Sequence, residues 1–365
     1  MFKKTINYAK SMSVHPLIAE HPLYNSLFSS NLDKYEIVND DMSSELTFIP
    51  TYYKNIPNNH SIIIEDYITL FFPHIHNGSN FTWNYKNCPW ISGYKNMFRN
   101  PNFKGVICHM KQTIESIEKI FDNDEIIKNK LYYLGLAYQS PIETIKKTND
   151  KKIILTFTNS FGGTENNFPL RGGLEVILSF KNIIERGYKN IFLNLLGDIK
   201  IDSSLHEWVK SCQFINIIPH DEVIHGRKMY KDNTIHNILK DTDIFLIPAC
   251  RIHSMSVVRA LSYGNIVLGS DGWGFNEFLD KEFMCEGQYK ASYIEDGVLK
   301  EKYSLHLESP NFELCKSIET TVINLIENPT KMDYIKQKNL TDSKIKFSKE
   351  NRDREFESII DKMIK

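Results

Sequence analysis

From Ile153 onward, short apolar runs alternate with amphipathic stretches. Ile153–Thr158 reads as a strand, and Leu174–Ile184 places Val176, Ile177, Phe180 and Ile184 at helical spacing. Ile191–Leu196 is a second strand ending at Gly197-Asp198, followed by a helix over 203–212, a strand over 214–218 and a helix over 234–240. Next comes the apolar run Ile244–Ile247, which lacks a helical period and stops at Pro248, as a buried strand does. After the polar turn Cys250–Ser254, Ser254 is placed to cap a helix carrying Val257, Val258, Leu261 and Tyr263, with Gly264 closing it. The strand Ile266–Leu268 then runs into Ser270-Asp271-Gly272-Trp273-Gly274. Strands alternating with helices argue for a doubly wound parallel sheet. Ligands of such sheets sit outside the carboxyl ends of the strands, where a helix N-terminus offers N–H groups and partial positive charge to an anion.

The first half is α/β with a weaker pattern. Strand-like pieces occur at Tyr35–Val38 and Leu46–Ile49, and a clear strand at 61–65 ends in Glu65-Asp66. Those acids either face a cleft or cap the next helix. Gly105–His109 reads as a strand, 110–121 as a helix with Ile114, Ile117 and Ile120 on one face, and Lys130–Leu134 as another strand. The charged segment Ile145–Lys152 marks a linker. From about Phe312 the tail reads as helices, the last with Phe356, Ile359, Ile360 and Met363 on one face. The expected division is 1–147, 148–345 and a terminal helix over 346–365.

A chain of 365 residues accommodates two domains, and a formal net charge of -1 gives no general field for nucleic acid. None of the six cysteines has C-x-x-C spacing, so no zinc or redox motif is indicated and a reducing, cytoplasmic setting is expected. The start, Met-Phe-Lys-Lys-Thr, lacks the apolar core of a secretory signal. From Tyr67 to Ile114 there is no acid, while Lys86, Lys95, Arg99, Lys104 and Lys111 interleave with aromatic residues. Such a stretch (residues 67–114) is either a peripheral membrane or acceptor-docking surface, or a solvated face over an aromatic core. His74 and His76 alone do not make a metal site.

Two anion-binding signals fall in the second half. In Arg171-Gly172-Gly173, paired glycines let a phosphate approach a helix start and Arg171 supplies a bidentate fork. The second is the turn Ile252–Met255.

Arg171-Gly172-Gly173, Pro248, Ala260–Val267 and Ser270–Gly274 with Glu277 resemble, over about residues 150–280, the C-terminal half of retaining GT-B glycosyltransferases of the family 4 type. The resemblance implies two Rossmann-like domains with parallel sheets facing across a cleft, a nucleotide-diphosphate sugar held by the second and a glycan or lipid-linked acceptor by the first. By motif, Arg171 stands where the family neutralises the donor diphosphate, and His253, Ser254 and Met255 where backbone N–H groups meet the donor. Glu277 occupies a family acid on the nucleotide side, or caps its own helix. Two departures stand out. Arg251 and Arg259 occupy the family's paired glutamates, and Arg cannot accept hydrogen bonds from ribose hydroxyls, so that contact is lost or rebuilt. The two arginines either add charge near the diphosphate, or Arg259 pairs with an acid. Asn159-Ser160-Phe161 stands where the family often has an Arg. The implied chemistry is sugar transfer with retention, without metal or cofactor, with Asp66, His109 and His253 as candidate catalytic groups. A degenerate binding protein on the same fold, partnering another transferase, is the competing reading.

Overall fold

The computed structural model describes residues 3–12, 22–50, 59–64, 71, 81–86, 88–149, 152–158, 168, 171–199, 201–224, 227–289, 292–295, 298–301 and 310–365. The first half provides strands β1 (Lys4–Tyr8), β2 (Tyr35–Asn39), β3 (Leu46–Pro50), β4 (His60–Ile64), β5 (Phe81–Asn84), β6 (Phe103–Cys108) and β7 (Leu131–Tyr133). Its helices include α1 (Pro22–Phe28), α2 (Pro89–Arg99), α3 (Lys111–Ile120) and α4 (Glu125–Lys128). Among the described residues the sheet runs β2-β1-β3-β4-β6-β7, all parallel. Its central strand β4 is buried throughout, which explains why 61–64 is an unbroken Ser-Ile-Ile-Ile run rather than an alternating one.

The second half provides β8 (Ile153–Thr158), α5 (Gly173–Glu185), β9 (Ile191–Leu196), α6 (Ser203–Ser211) and β10 (Ile215–Ile218). A hairpin of β11 (Glu222–Ile224) and β12 (Arg227–Met229) leads to α7 (Asp232–Asp241), β13 (Ile244–Leu246), α8 (Ser254–Ser262), β14 (Ile266–Ser270) and β15 (Met284–Cys285). The second parallel sheet runs β10-β9-β8-β13-β14-β15. Val176, Ile177, Phe180 and Ile184 of α5 are buried against it, as their spacing requires.

The α8 boundaries differ by one residue from expectation. His253 is the N-cap and Ser254 is already helical, with no side-chain cap. Tyr263 ends the helix and Gly264 follows at φ +72°, where an added Cβ would lie 2.8 Å from Ile145 and 2.9 Å from the Lys336 carbonyl oxygen.

The strands β16 (Ser292–Glu295) and β17 (Val298–Glu301) form a hairpin whose second strand pairs antiparallel with β5. The tail folds as α9 (Phe312–Ile326), α10 (Pro329–Lys346) and α11 (Lys349–Ile364). The last helix returns to the first half. Phe356 packs 5.4 Å from Phe48, ring to ring, and Arg352 Nη2 donates to the Ser26 carbonyl oxygen at 2.9 Å. Tyr35 donates its hydroxyl hydrogen to Asp361 at 2.6 Å. A second tie fixes α10 under the sheet: buried Lys336 donates to Asp243 Oδ1 at 2.7 Å, while Asp243 Oδ2 accepts from the Ile154 amide at 2.9 Å. Among the described residues, no helix is long and apolar enough to cross a membrane.

Candidate functional site

β8 and β13 are neighbours, so the helices that follow them, α5 and α8, begin side by side at the carboxyl edge of the sheet. A cavity of about 700 Å³ opens there. Thr156 and Thr158 of β8, Leu196 of β9 and Phe245 of β13 supply its sheet edge. His253, Met255 and Ser256 come from the start of α8, and the first half contributes Ser26 and Ala137–Gln139. The cavity is therefore an interdomain cleft whose floor carries a helix N-terminus, with N–H groups that lack intrahelical partners.

One wall is a polar chain. Arg259 Nη2 donates to Asp232 Oδ1 at 2.7 Å, its Nε donates to the Tyr138 hydroxyl at 3.4 Å, and its guanidinium lies 5.6 Å from the Tyr138 ring centre. The Tyr263 hydroxyl lies 2.8 Å from His236 Nδ1. Burial, and next the hydrogen bond with Tyr138, push the Tyr263 hydroxyl above its ordinary range. Burial works against the Arg259 charge, but Tyr138 and Asp232 outweigh it, so the guanidinium stays cationic. Its charge is consequently matched by Asp232 rather than standing open to a phosphate, which is the acid-paired alternative for this position.

The other candidates are distributed as follows. Met255 and His253 line the cavity, and Ser254 is fully buried beside them. Arg251 is buried, does not line the cavity, and its backbone bridges to Trp273. Arg171 is half-buried at the start of α5 and likewise does not line the cavity. Gly172 and Gly173 are closely packed on the side where a Cβ would stand. Gly172 sits at φ +76°, where an added Cβ would lie 2.7 Å from the Pro248 carbonyl oxygen, and one on Gly173 would lie 2.6 Å from the Phe168 ring. Both glycines are required by packing, and Gly172 sets the α5 start against Pro248, just past β13.

Glu277 brings a correction. Its carboxylate does not line the cavity and does not cap its own short helix. It accepts from the amides of Lys111 at 2.8 Å and Gln112 at 2.7 Å, capping α3 of the first half. Gln112 also donates to Asn276 at 3.0 Å. His109 is buried at the end of β6, also away from the cavity lining. Its Nδ1 lies 2.7 Å from the Leu134 carbonyl oxygen, which can only accept, so Nδ1 carries the proton. Asp66, His74 and His76 lie outside the described residues. Of the basic and aromatic stretch, Tyr85, Phe98 and Phe103 are buried, and Phe98 stacks on Phe103 with ring centres 4.7 Å apart. Arg99 pairs with Asp124. Over the described part, those aromatics build a core rather than a membrane-facing surface. Among the described residues, no group of three or more His, Cys, Asp or Glu is arranged to hold a metal ion.

Asp232 is the site residue that sequence reasoning missed. Its signal was an acid in the first turn of a helix at the carboxyl edge, but its role depends on meeting Arg259 from another helix.

No protein-family model and no curated protein sequence matches the chain. Solved structures do. A glycosyltransferase from Rickettsia africae ESF-5 aligns over 100% of both chains at 10% identity, with a TM-score of 0.59. Anabaena Alr3699/HepE, solved in complex with UDP and glucose, aligns over 99% of this chain and 100% of its own at 10% identity, with a TM-score of 0.58. TarM aligns over 86% of this chain at 11% identity and a TM-score of 0.52, and the chain spans about half (54%) of its length. Identities this low speak to fold. The chain has the GT-B architecture, two Rossmann-like domains whose parallel sheets face each other across a cleft.

Proposed function

We propose that the chain is a glycosyltransferase that moves a hexosyl group from a nucleotide-diphosphate sugar to a glycan, glycolipid or glycoprotein acceptor, with retention at the anomeric carbon. The observation that carries this reading is the interdomain cavity over the α8 helix start, on a fold shared with HepE, which has been solved with UDP-glucose. As the bond from the anomeric carbon to the diphosphate breaks, negative charge builds on the leaving phosphate. The α8 helix start, which lines the cavity, is a fixed donor that favours this charge more than the ground state. Of the described catalytic candidates, His253 lines the cavity, at the α8 N-cap, and His109 does not. The reading includes catalysis without a metal, a cytoplasmic location and a role in assembling a surface polysaccharide. A thermal-shift panel of UDP, GDP, ADP, CDP and their sugars tests it. A bound ligand raises stability by mass action. One nucleotide should raise the melting temperature of wild type and lose that effect in Ser256→Trp, which fills the cavity from its lining; no shift with any of them would count against the enzyme.

A second reading is a binding protein on the same fold that partners another transferase. Its support is specific: Arg259 is engaged by Asp232, and Glu277 by α3. Under that reading the panel is silent and a partner transferase co-purifies.

A further inference from the structure

We propose that Asp232, held by Arg259, is the residue that accepts the hydroxyl hydrogens of the nucleotide's ribose. The inference rests on the nucleotide-sugar reading of the cavity. A vicinal diol presents two O–H donors, and the group that best accepts both is a carboxylate. Asp232 and Arg259 line the same cavity, and Arg259 supplies donors only. Asp232 is 91% exposed at its side chain, so a ligand in the cavity can reach it. Arg259 engages Oδ1 at 2.7 Å, which holds the carboxylate in one place and leaves the remaining lone pairs for a ligand. The surrounding wall suits the rest of a nucleoside. Tyr138, Tyr230 and Tyr263 line the same cavity with Leu239 and Met255, an aromatic and apolar surface suited to a planar base. The acid also sits in the first turn of α7, where the helix dipole favours its negative charge. An Arg at position 259 thus works with an acid from the neighbouring helix to present the acceptor that the Arg itself lacks.

The test compares UDP, GDP, ADP and CDP with their 2′,3′-dideoxy forms on wild type, Asp232→Asn and Asp232→Glu, by calorimetric titration. Asp232 is exposed, so both variants are expected to fold, and their melting temperatures check it. Wild type should bind the ribo form about ten- to a hundredfold more tightly than the dideoxy form, the scale of hydrogen bonds to a charged group. Asp232→Asn should lose most of that preference while binding the dideoxy form unchanged, and Asp232→Glu should recover part of it. An undiminished ribo preference in Asp232→Asn would overturn the assignment and leave the nucleotide reading standing. Failure of wild type to bind either form of any nucleotide would overturn the nucleotide reading, and this inference with it.

Discussion

Glu277→Ala removes a carboxylate that joins the two domains. Glu277 accepts from the amides of Lys111 and Gln112 at 2.8 and 2.7 Å, and those are two of the N–H groups at the α3 start that no helical carbonyl can satisfy. A hydrogen bond to a charged group, fully buried, is worth about 1.5–3 kcal/mol. Glu277 is only half-buried, so water reaches the freed amides and the cost falls toward that of a lost N-cap, about 0.5–2 kcal/mol. A loss of about 1–2 kcal/mol should speed amide exchange at residues 111–114 by roughly 5- to 30-fold. Because Glu277 lies outside the cavity lining, nucleotide affinity should stay within about twofold of wild type. Hydrogen exchange and calorimetric titration on the same samples separate the roles. Unchanged exchange with a tenfold or greater loss of affinity, on the order of 1.4 kcal/mol, would refute the capping role and return Glu277 to the nucleotide.

Two further outcomes follow from buried charges. Lys336→Met leaves Asp243 without its cation, and breaking a buried pair costs about 3–5 kcal/mol, so the urea midpoint should fall sharply; an unchanged midpoint would mean the pair is not closed in solution. Burial holds the Glu175 carboxyl above its ordinary value of 4.5, against the amides of Asn311 and of Glu175 itself. The folded state then binds more protons than the unfolded, so stability falls as pH rises from about 4.5 through the native value. Glu175→Gln should therefore raise the melting temperature at neutral pH and confer no gain near pH 4; an equal gain at both would contradict this.

What the sequence disclosed, and what it did not, has a physical pattern. β8, β9 and α5 were legible because burial is written into local periodicity: β8 sets Ile153, Leu155 and Phe157 on one face, and α5 repeats its buried positions every three or four residues. The turn after Pro248 and the helix start of α8 were legible for the same reason, within one residue. The strand pair β17–β5 was not, since its partners lie in different halves and neither carries a pattern of its own. Glu277 was misplaced because its amide partners lie 165 and 166 residues upstream. The glycines at 172 and 173 were read as room for a phosphate at a helix start, and only the positions of Pro248 and Phe168 tell what an added side chain would meet.

The account stands on a nucleotide occupying the cleft above α8. Ser256 lines that cavity and is half-buried, so Ser256→Trp fills it from one wall. Calorimetric titration of wild type and Ser256→Trp with the nucleoside diphosphates is the direct measurement. Binding by wild type that disappears in Ser256→Trp, with melting temperature retained, is expected. Equal binding by both proteins would place the nucleotide elsewhere and contradict the account.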